Sequence, residues 1–122
     1  MGLTAAIASF HTNDDDKDSD TIVAITVNGP GFVVAQAGGI SGHFDDGSNN
    51  GPFALTVVGP IAPAQVPHCT TTVHIDPNGH DTWKFNYTLD LVFDDFNPPL
   101  HVRKVFNGIA LDEGHRDFVG AL

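Results

Sequence analysis

The chain has 122 residues, a length typical of one domain, and its 41% hydrophobic content suffices for one core and argues against a disordered tail. It carries 15 acidic and 5 basic residues, a formal net charge of −10, which excludes nucleic-acid partners because phosphate binding needs basic clusters. No apolar run approaches the roughly 18 residues that span a bilayer, so no transmembrane segment is expected.

The composition predicts an all-β chain. Residues that suit strands are abundant, with twelve Val, seven Ile, ten Thr and nine Phe. Strong helix formers are scarce, with three Lys, two Gln, one Glu and one Met. Fourteen of the 15 acidic residues are Asp, which builds turns and also binds hard cations.

Eight candidate strands are predicted, at Leu3–Phe10, Thr21–Asn28, Phe32–Gln36, Phe53–Val58, Thr70–Ile75, Thr82–Phe93, Leu100–Leu111 and Arg116–Ala121. Thr82–Phe93 is the clearest, because six apolar residues alternate there with polar ones, and Trp83 is in phase with the buried positions. Asn107-Gly108 indicates a tight turn or a bulge. We predict one domain, residues 1–122, folded as a single antiparallel β-sandwich of about eight strands.

The order of the strands predicts where the charge lies. If successive strands alternate in direction, the first, third, fifth and seventh connections share one end of the sandwich. They hold Asp14, Asp15, Asp16, Asp18, Asp20, Asp45, Asp46, Asp76, Asp81, Asp112 and Glu113, whereas the other end receives Asp94 and Asp95. The Pro- and Ala-rich segment Gly59–Pro67 also falls at that other end, where it covers the core or contacts a neighbouring subunit.

The densest acidic segment predicts a calcium site. Asp14, Asp15, Asp16, Asp18 and Asp20 place five carboxylates within seven residues, which repel one another unless a counter-ion is bound. Calcium accepts six to eight oxygen ligands in irregular geometry. The spacing is not that of an EF-hand, because Ser19 replaces the glycine and Ile25 the bidentate Glu. A solvated acidic loop is the alternative.

A second polar segment contributes further candidate ligands. Asp76, Asn78 and Asp81 belong to a predicted hairpin turn, and their oxygens could complete a site held mainly by the first segment. His43–Gly51 is a long polar loop that either contacts a ligand or is mobile. His68, His74 and His80 are spaced by six residues, which favours surface histidines over a zinc site.

Asp18-Ser19-Asp20, followed by Thr21-Ile22-Val23, resembles the first calcium loop of the synaptotagmin-type phospholipid-binding sandwiches, and more loosely that of PLAT-type sandwiches. In those modules an acidic residue and Ser-Asp lead directly into a core strand. The resemblance covers about a dozen residues, and Thr21-Ile22 stands where those modules have Pro-Tyr. It implies calcium binding within a β-sandwich, with a lipid headgroup as one class of ligand.

The sequence as a whole favours a non-enzymatic calcium-binding module for recognition or adhesion, whose ligand at the acidic rim is a protein, a carbohydrate or a lipid headgroup. The alternatives are a self-assembling structural protein, such as a secreted fibre or virion subunit, and a small metal-dependent hydrolase. No catalytic residues and no signal peptide are predicted, and an extracellular location is slightly favoured. Homo-oligomerisation stays open.

Overall fold

The computed structural model describes residues 3–13, 22–40, 47–59, 61–76, 82–93, 100–112 and 114–122. It contains eight antiparallel strands in one sheet, which is nearly closed and barrel-like, and this confirms the all-β prediction. The strands are β1 (Ala5–Thr12), β2 (Ile22–Gly29), β3 (Phe32–Ile40), β4 (Asn49–Val57), β5 (Thr70–Asp76), β6 (Trp83–Phe93), β7 (Leu100–Leu111) and β8 (Asp117–Ala121). One 3-10 helix, Pro63–His68, lies between β4 and β5.

The sheet order is β7-β6-β1-β4-β3-β2-β5-β8. Its two halves, β7-β6-β1-β4 and β3-β2-β5-β8, are joined by a short ladder between β3 and β4, in which Ala35 pairs with Val57 and Gln36 with Thr56. Every paired strand is antiparallel, so the odd-numbered strands run one way and the even-numbered strands the other. The alternation in direction predicted from the sequence is confirmed.

Strand β6 supplies much of the core. Its odd-numbered residues from Trp83 to Phe93 are all fully buried, as the alternating pattern predicts. Phe10 of β1 packs on them, with ring centroids 5.1 Å from Trp83, 5.4 Å from Tyr87 and 5.6 Å from Phe85. Because burial of one such ring is worth about 1.5–3 kcal/mol, this aromatic cluster anchors the β7-β6-β1-β4 half.

Two bulges let strands run past residues that the sequence pattern assigns to turns. In β7, Asn107 and Gly108 together oppose Asn86, and Gly108 adopts a φ of 71° that favours glycine. Its N–H donates to Oδ1 of Asn86 at 3.0 Å. In β3, Gly38 and Gly39 oppose one residue of β2, so the strand continues to Ile40. Asn107-Gly108 is therefore a bulge, the second of the two predicted options.

The segment after β4 covers the end of the core opposite the acidic connections. Ile61 and Val66 are buried in the hydrophobic cluster, and the Ile61 carbonyl accepts a hydrogen bond from Leu3 N–H at 2.9 Å. The side chain of Gln65 accepts from Ala62 N–H at 2.8 Å and fixes the start of the 3-10 helix. This confirms the covering role predicted for the segment. No helix in the described ranges is long and apolar enough to cross a membrane.

Candidate functional site

Eight strand ends define what we call the acidic end of the molecule. The odd-numbered strands finish there and the even-numbered strands begin there, at Thr12, Ile22, Ile40, Asn49, Asp76, Trp83, Leu111 and Asp117. The connections made at this end are segments 13–21, 41–48, 77–82 and 112–116. Together with the strand ends, they contain every acidic residue of the chain except Asp90, Asp94 and Asp95.

Two of these connections are anchored on the same two pairs of neighbouring strands, β1 with β6 and β2 with β5. Segment 14–21 leaves β1 after Asn13, whose N–H donates to the Lys84 carbonyl at 2.8 Å near the start of β6. It rejoins the sheet at Ile22, which pairs with Asp76 at the end of β5. Segment 77–81 leads from β5 to β6. Each connection therefore joins the β1–β6 pair, in one half of the sheet, to the β2–β5 pair, in the other half.

The predicted metal ligands fall mostly outside the described residues. Asp14, Asp15, Asp16, Asp18, Asp20, Asn78 and Asp81 lie there, whereas Asp76 is described and exposed at the end of β5. Within the described ranges, no group of three or more His, Cys, Asp or Glu side chains is arranged to hold a metal ion.

Asp76 contacts a histidine and an arginine at the β5–β8 edge. His74 lies between two carboxylates, with Nδ1 2.6 Å from Oδ1 of Asp117 and Nε2 3.0 Å from Oδ1 of Asp76. Arg116 Nη1 is 3.8 Å from the same Asp76 oxygen. Because ionised carboxylates only accept hydrogen bonds, both ring nitrogens of His74 act as donors when the ring is protonated. The hydrogen bond to Asp117, assisted by Asp76 and opposed by desolvation, raises the pKa of His74.

A polar pocket of about 180 Å³ lies on the outer surface near the acidic end. It occupies the bulge between β1 and β4 and is lined by Ser9, Phe10, His11, Asn49, Asn50, Gly51, Pro52 and Thr88. His11 Nδ1 is 2.8 Å from Oδ1 of Asn49, and since that oxygen only accepts, Nδ1 is the donor. In the neutral ring, Nε2 then carries the lone pair. The pocket therefore offers hydroxyl, amide and imidazole groups with no carboxylate or permanent cation.

A third polar cluster lies on the outer face of β6 and β7. Oδ1 of Asp90 accepts from Arg103 Nε at 2.7 Å and is 3.1 Å from His101 Nε2. The Asp90 side chain is only 11% exposed, whereas Arg103 and His101 are mostly exposed. The carboxylate raises the pKa of Arg103, first through the hydrogen bond and then through its charge.

Sequence reasoning did not predict these pairs, because each depends on which strands are neighbours and on their register. His74 and Asp117 are cross-strand partners on β5 and β8, and Asp90 and Arg103 are partners on β6 and β7. The usable signal was the polar face of each predicted strand, on which such residues recur every second position. Without the strand order, that signal cannot assign partners.

Comparison of the chain with protein-family models, curated proteins and solved structures gives no match in any of the three.

Proposed function

We propose that this protein is a non-enzymatic calcium-binding module, in which the acidic end holds the ion and presents a surface for recognition or adhesion. Its ligands would come from Asp14, Asp15, Asp16, Asp18 and Asp20, with Asp76, Asn78 and Asp81 completing the site. The observation that carries the proposal is that segments 14–21 and 77–81 are anchored on the same two pairs of strands. Residues distant in the sequence thereby become candidates for one site.

Electrostatics supports a cation at this position. Two unit charges 4 Å apart interact by about 1 kcal/mol in bulk water and about 4 kcal/mol at an effective dielectric constant of 20. Five carboxylates within seven residues of the sequence therefore repel strongly in a chain with a net charge of −10. A divalent ion with oxygen ligands removes this repulsion, and calcium tolerates the irregular spacing better than magnesium, which requires an octahedron.

The described residues also support a role in recognition. The pocket beside His11 lies next to the end of β1, from which segment 14–21 departs, and the start of β4, to which segment 41–46 leads. Its hydroxyl, amide and imidazole groups suit a polar partner. We further propose that the two halves of the sheet act as the two layers of a β-sandwich, which keeps the anchoring strand ends in register.

Thermal unfolding of the full chain tests the proposal. The protein is stripped with EDTA and measured alone, then with calcium or magnesium. Binding stabilises the native state by mass action, by about 2.7 kcal/mol at a concentration 100-fold above Kd, and a domain of this size gains roughly 3–6 °C per kcal/mol. We expect a calcium-selective rise in Tm.

A pair of charge-matched variants locates the site. Asp16→Asn/Asp18→Asn should abolish the calcium-induced rise, whereas Asp94→Asn/Asp95→Asn removes the same charge from the connection at the opposite end and should retain it. If calcium produces no rise in the unmodified protein, or if both variants lose it equally, the acidic end is not the ion site. The acidic segment then acts as a solubility device, which favours the self-assembling structural protein.

A further inference from the structure

The polar pocket between β1 and β4 offers hydrogen-bonding groups that the protein itself does not use. The hydroxyls of Ser9 and Thr88 line it and have no hydrogen-bond partner among the described residues. His11 and Asn49 are joined from Nδ1 to Oδ1 at 2.8 Å, which leaves Nε2 of His11 and Nδ2 of Asn49 available. The pocket therefore presents two hydroxyls, an imidazole nitrogen and an amide to a ligand.

The strand register brings these groups together on one face. Ser9 of β1 pairs directly with Thr88 of β6, so both hydroxyls lie on the outer face of the sheet. The Cβ atoms of such a cross-strand pair are about 4.5–5.5 Å apart, a gap that one ligand hydroxyl can bridge by donating to one side chain and accepting from the other. His11 is two residues beyond Ser9 on the same face of β1.

A bulge in β4 keeps the Ser9 hydroxyl accessible. Gly51 and Pro52 together oppose Ser9, and Gly51 adopts a φ of 121°, which favours glycine. A Cβ at Gly51 would lie 3.0 Å from the Ala8 carbonyl oxygen and 3.2 Å from Oγ of Ser9, so any side chain there would crowd the hydroxyl. Pro52 is exposed and adds an apolar wall to the pocket.

The chemistry of the lining favours a neutral ligand. No Lys, Arg, Asp or Glu is among the described residues that line the pocket, so neither an anion nor an ammonium group finds a partner of opposite charge there. The net charge of −10 further disfavours anions. A peptide backbone is also disfavoured, because β1 is paired on both sides, with β4 and β6, and offers no free edge for strand addition.

We propose that this pocket binds one neutral sugar ring of a carbohydrate. Sugar hydroxyls both donate and accept, as the Ser9 and Thr88 hydroxyls do, and a C–H face of the ring packs on Pro52. The volume of about 180 Å³ is smaller than the roughly 300–1,000 Å³ of pockets that enclose drug-sized ligands, so it suits a single ring. The proposal rests on the recognition role proposed above and names its class of ligand, but it does not require the ion.

Titration of the full chain in EDTA, followed by its amide ¹H–¹⁵N spectrum, tests the proposal. The probes are D-glucose, D-galactose, D-mannose and N-acetyl-D-glucosamine. We expect at least one of them to shift the amide signals of the pocket residues in a saturable manner, with a Kd on the order of 1 mM, as suits a ligand of this size. The uronic acid and the amino sugar of the same ring, which add a charge, should bind no more tightly.

Variants without a hydroxyl locate the sugar. Thr88→Val keeps the shape of the side chain and should raise the Kd about threefold to tenfold, the effect of losing one hydrogen bond, and Ser9→Ala should do the same. Thr72→Val is the matched control, because Thr72 is also partly buried on an alternating strand but belongs to β5, in the other half of the sheet. It should leave the Kd unchanged.

The dispersion of the amide spectrum shows that each variant folds. The proposal is overturned if no neutral sugar produces a saturable shift up to about 100 mM, a hundredfold above the expected Kd. It is also overturned if a charged sugar binds most tightly, or if Thr72→Val weakens binding as much as Thr88→Val. Sugar binding in EDTA without a calcium-induced rise in Tm would retain the pocket and reject the ion site, and the reverse result would reject the pocket alone.

Discussion

The hydroxyl groups of Tyr87 and Thr71 connect the two halves of the sheet through the interior. They are 2.9 Å apart, and the Thr71 hydroxyl also lies 3.3 Å from the Thr26 carbonyl. A carbonyl only accepts, so Thr71 donates to Thr26 and Tyr87 donates to Thr71. Burial raises the pKa of Tyr87 well above its usual value, which keeps the phenol a donor.

This direction of donation predicts unequal costs for removing the two hydroxyls. Tyr87→Phe removes the donor and leaves Thr71 bonded to Thr26, so it should cost about 0.5–1.5 kcal/mol, the net worth of one hydrogen bond. Thr71→Val keeps the shape but leaves the buried Tyr87 hydroxyl without its acceptor, at about 1–3 kcal/mol. In the double variant both partners are apolar, and its cost should fall below the sum of the single costs.

Urea unfolding followed by far-UV circular dichroism measures these free energies, and an unchanged m-value shows that the unfolded state is not altered. The reasoning fails if Tyr87→Phe costs more than Thr71→Val. It also fails if the two costs add, because the hydroxyls would then not be coupled.

Two further predictions concern the β5–β8 edge and the contact of Phe106 with Gly120. Since the folded state raises the pKa of His74, its hydrogen bonds to carboxylates stabilise the protein most below about pH 6.5 and are lost as the pH rises through the folded pKa. In EDTA, His74→Asn should thus lower the free energy of unfolding more at about pH 5.5 than at pH 8.5. The difference should not exceed about 1 kcal/mol at this half-exposed site. An equal loss at both pH values would exclude the ion pair. Gly120→Ala should lower the free energy of unfolding by about 1–3 kcal/mol, because the Phe106 ring must move. Gly38→Ala is the control, because a Cβ at Gly38 meets open space, and it should cause no such loss. Thermal unfolding of both variants measures the difference.

The sequence predicted all eight strands because their faces alternate, but it misplaced several ends. The β3 strand was expected to stop at Gln36 and β4 to start at Phe53, whereas they extend to Ile40 and from Asn49. Glycine and asparagine near these ends indicated loops. In the fold, the glycines lie in bulges, and neighbouring strands form hydrogen bonds with the backbone of the remaining residues. The strand propensity of a short segment carries no information on which strands will pair with it.

Parts of the candidate site were predictable for a different reason. Alternating strand direction alone brings the acidic connections to one end, whatever the strand order. The cross-strand contacts of His74, Asp90 and His11 depend on which strands are neighbours, and alternation carries no information on that. The prediction that Trp83 is buried, by contrast, required only the two-residue period of its own strand, and it is confirmed.

The strand order also changes what the acidic composition means. If β1 and β2 were neighbours, segment 14–21 would be a simple hairpin loop that spreads its charge into solvent. In this sheet β1 pairs with β4 and β6, and β2 with β3 and β5, so the segment crosses between the halves. The connection from β5 to β6 crosses between the same strands. The acidic residues of both connections are thus carried by chain segments that start and finish at neighbouring strand ends, and this is the physical basis on which we propose that they share one cation.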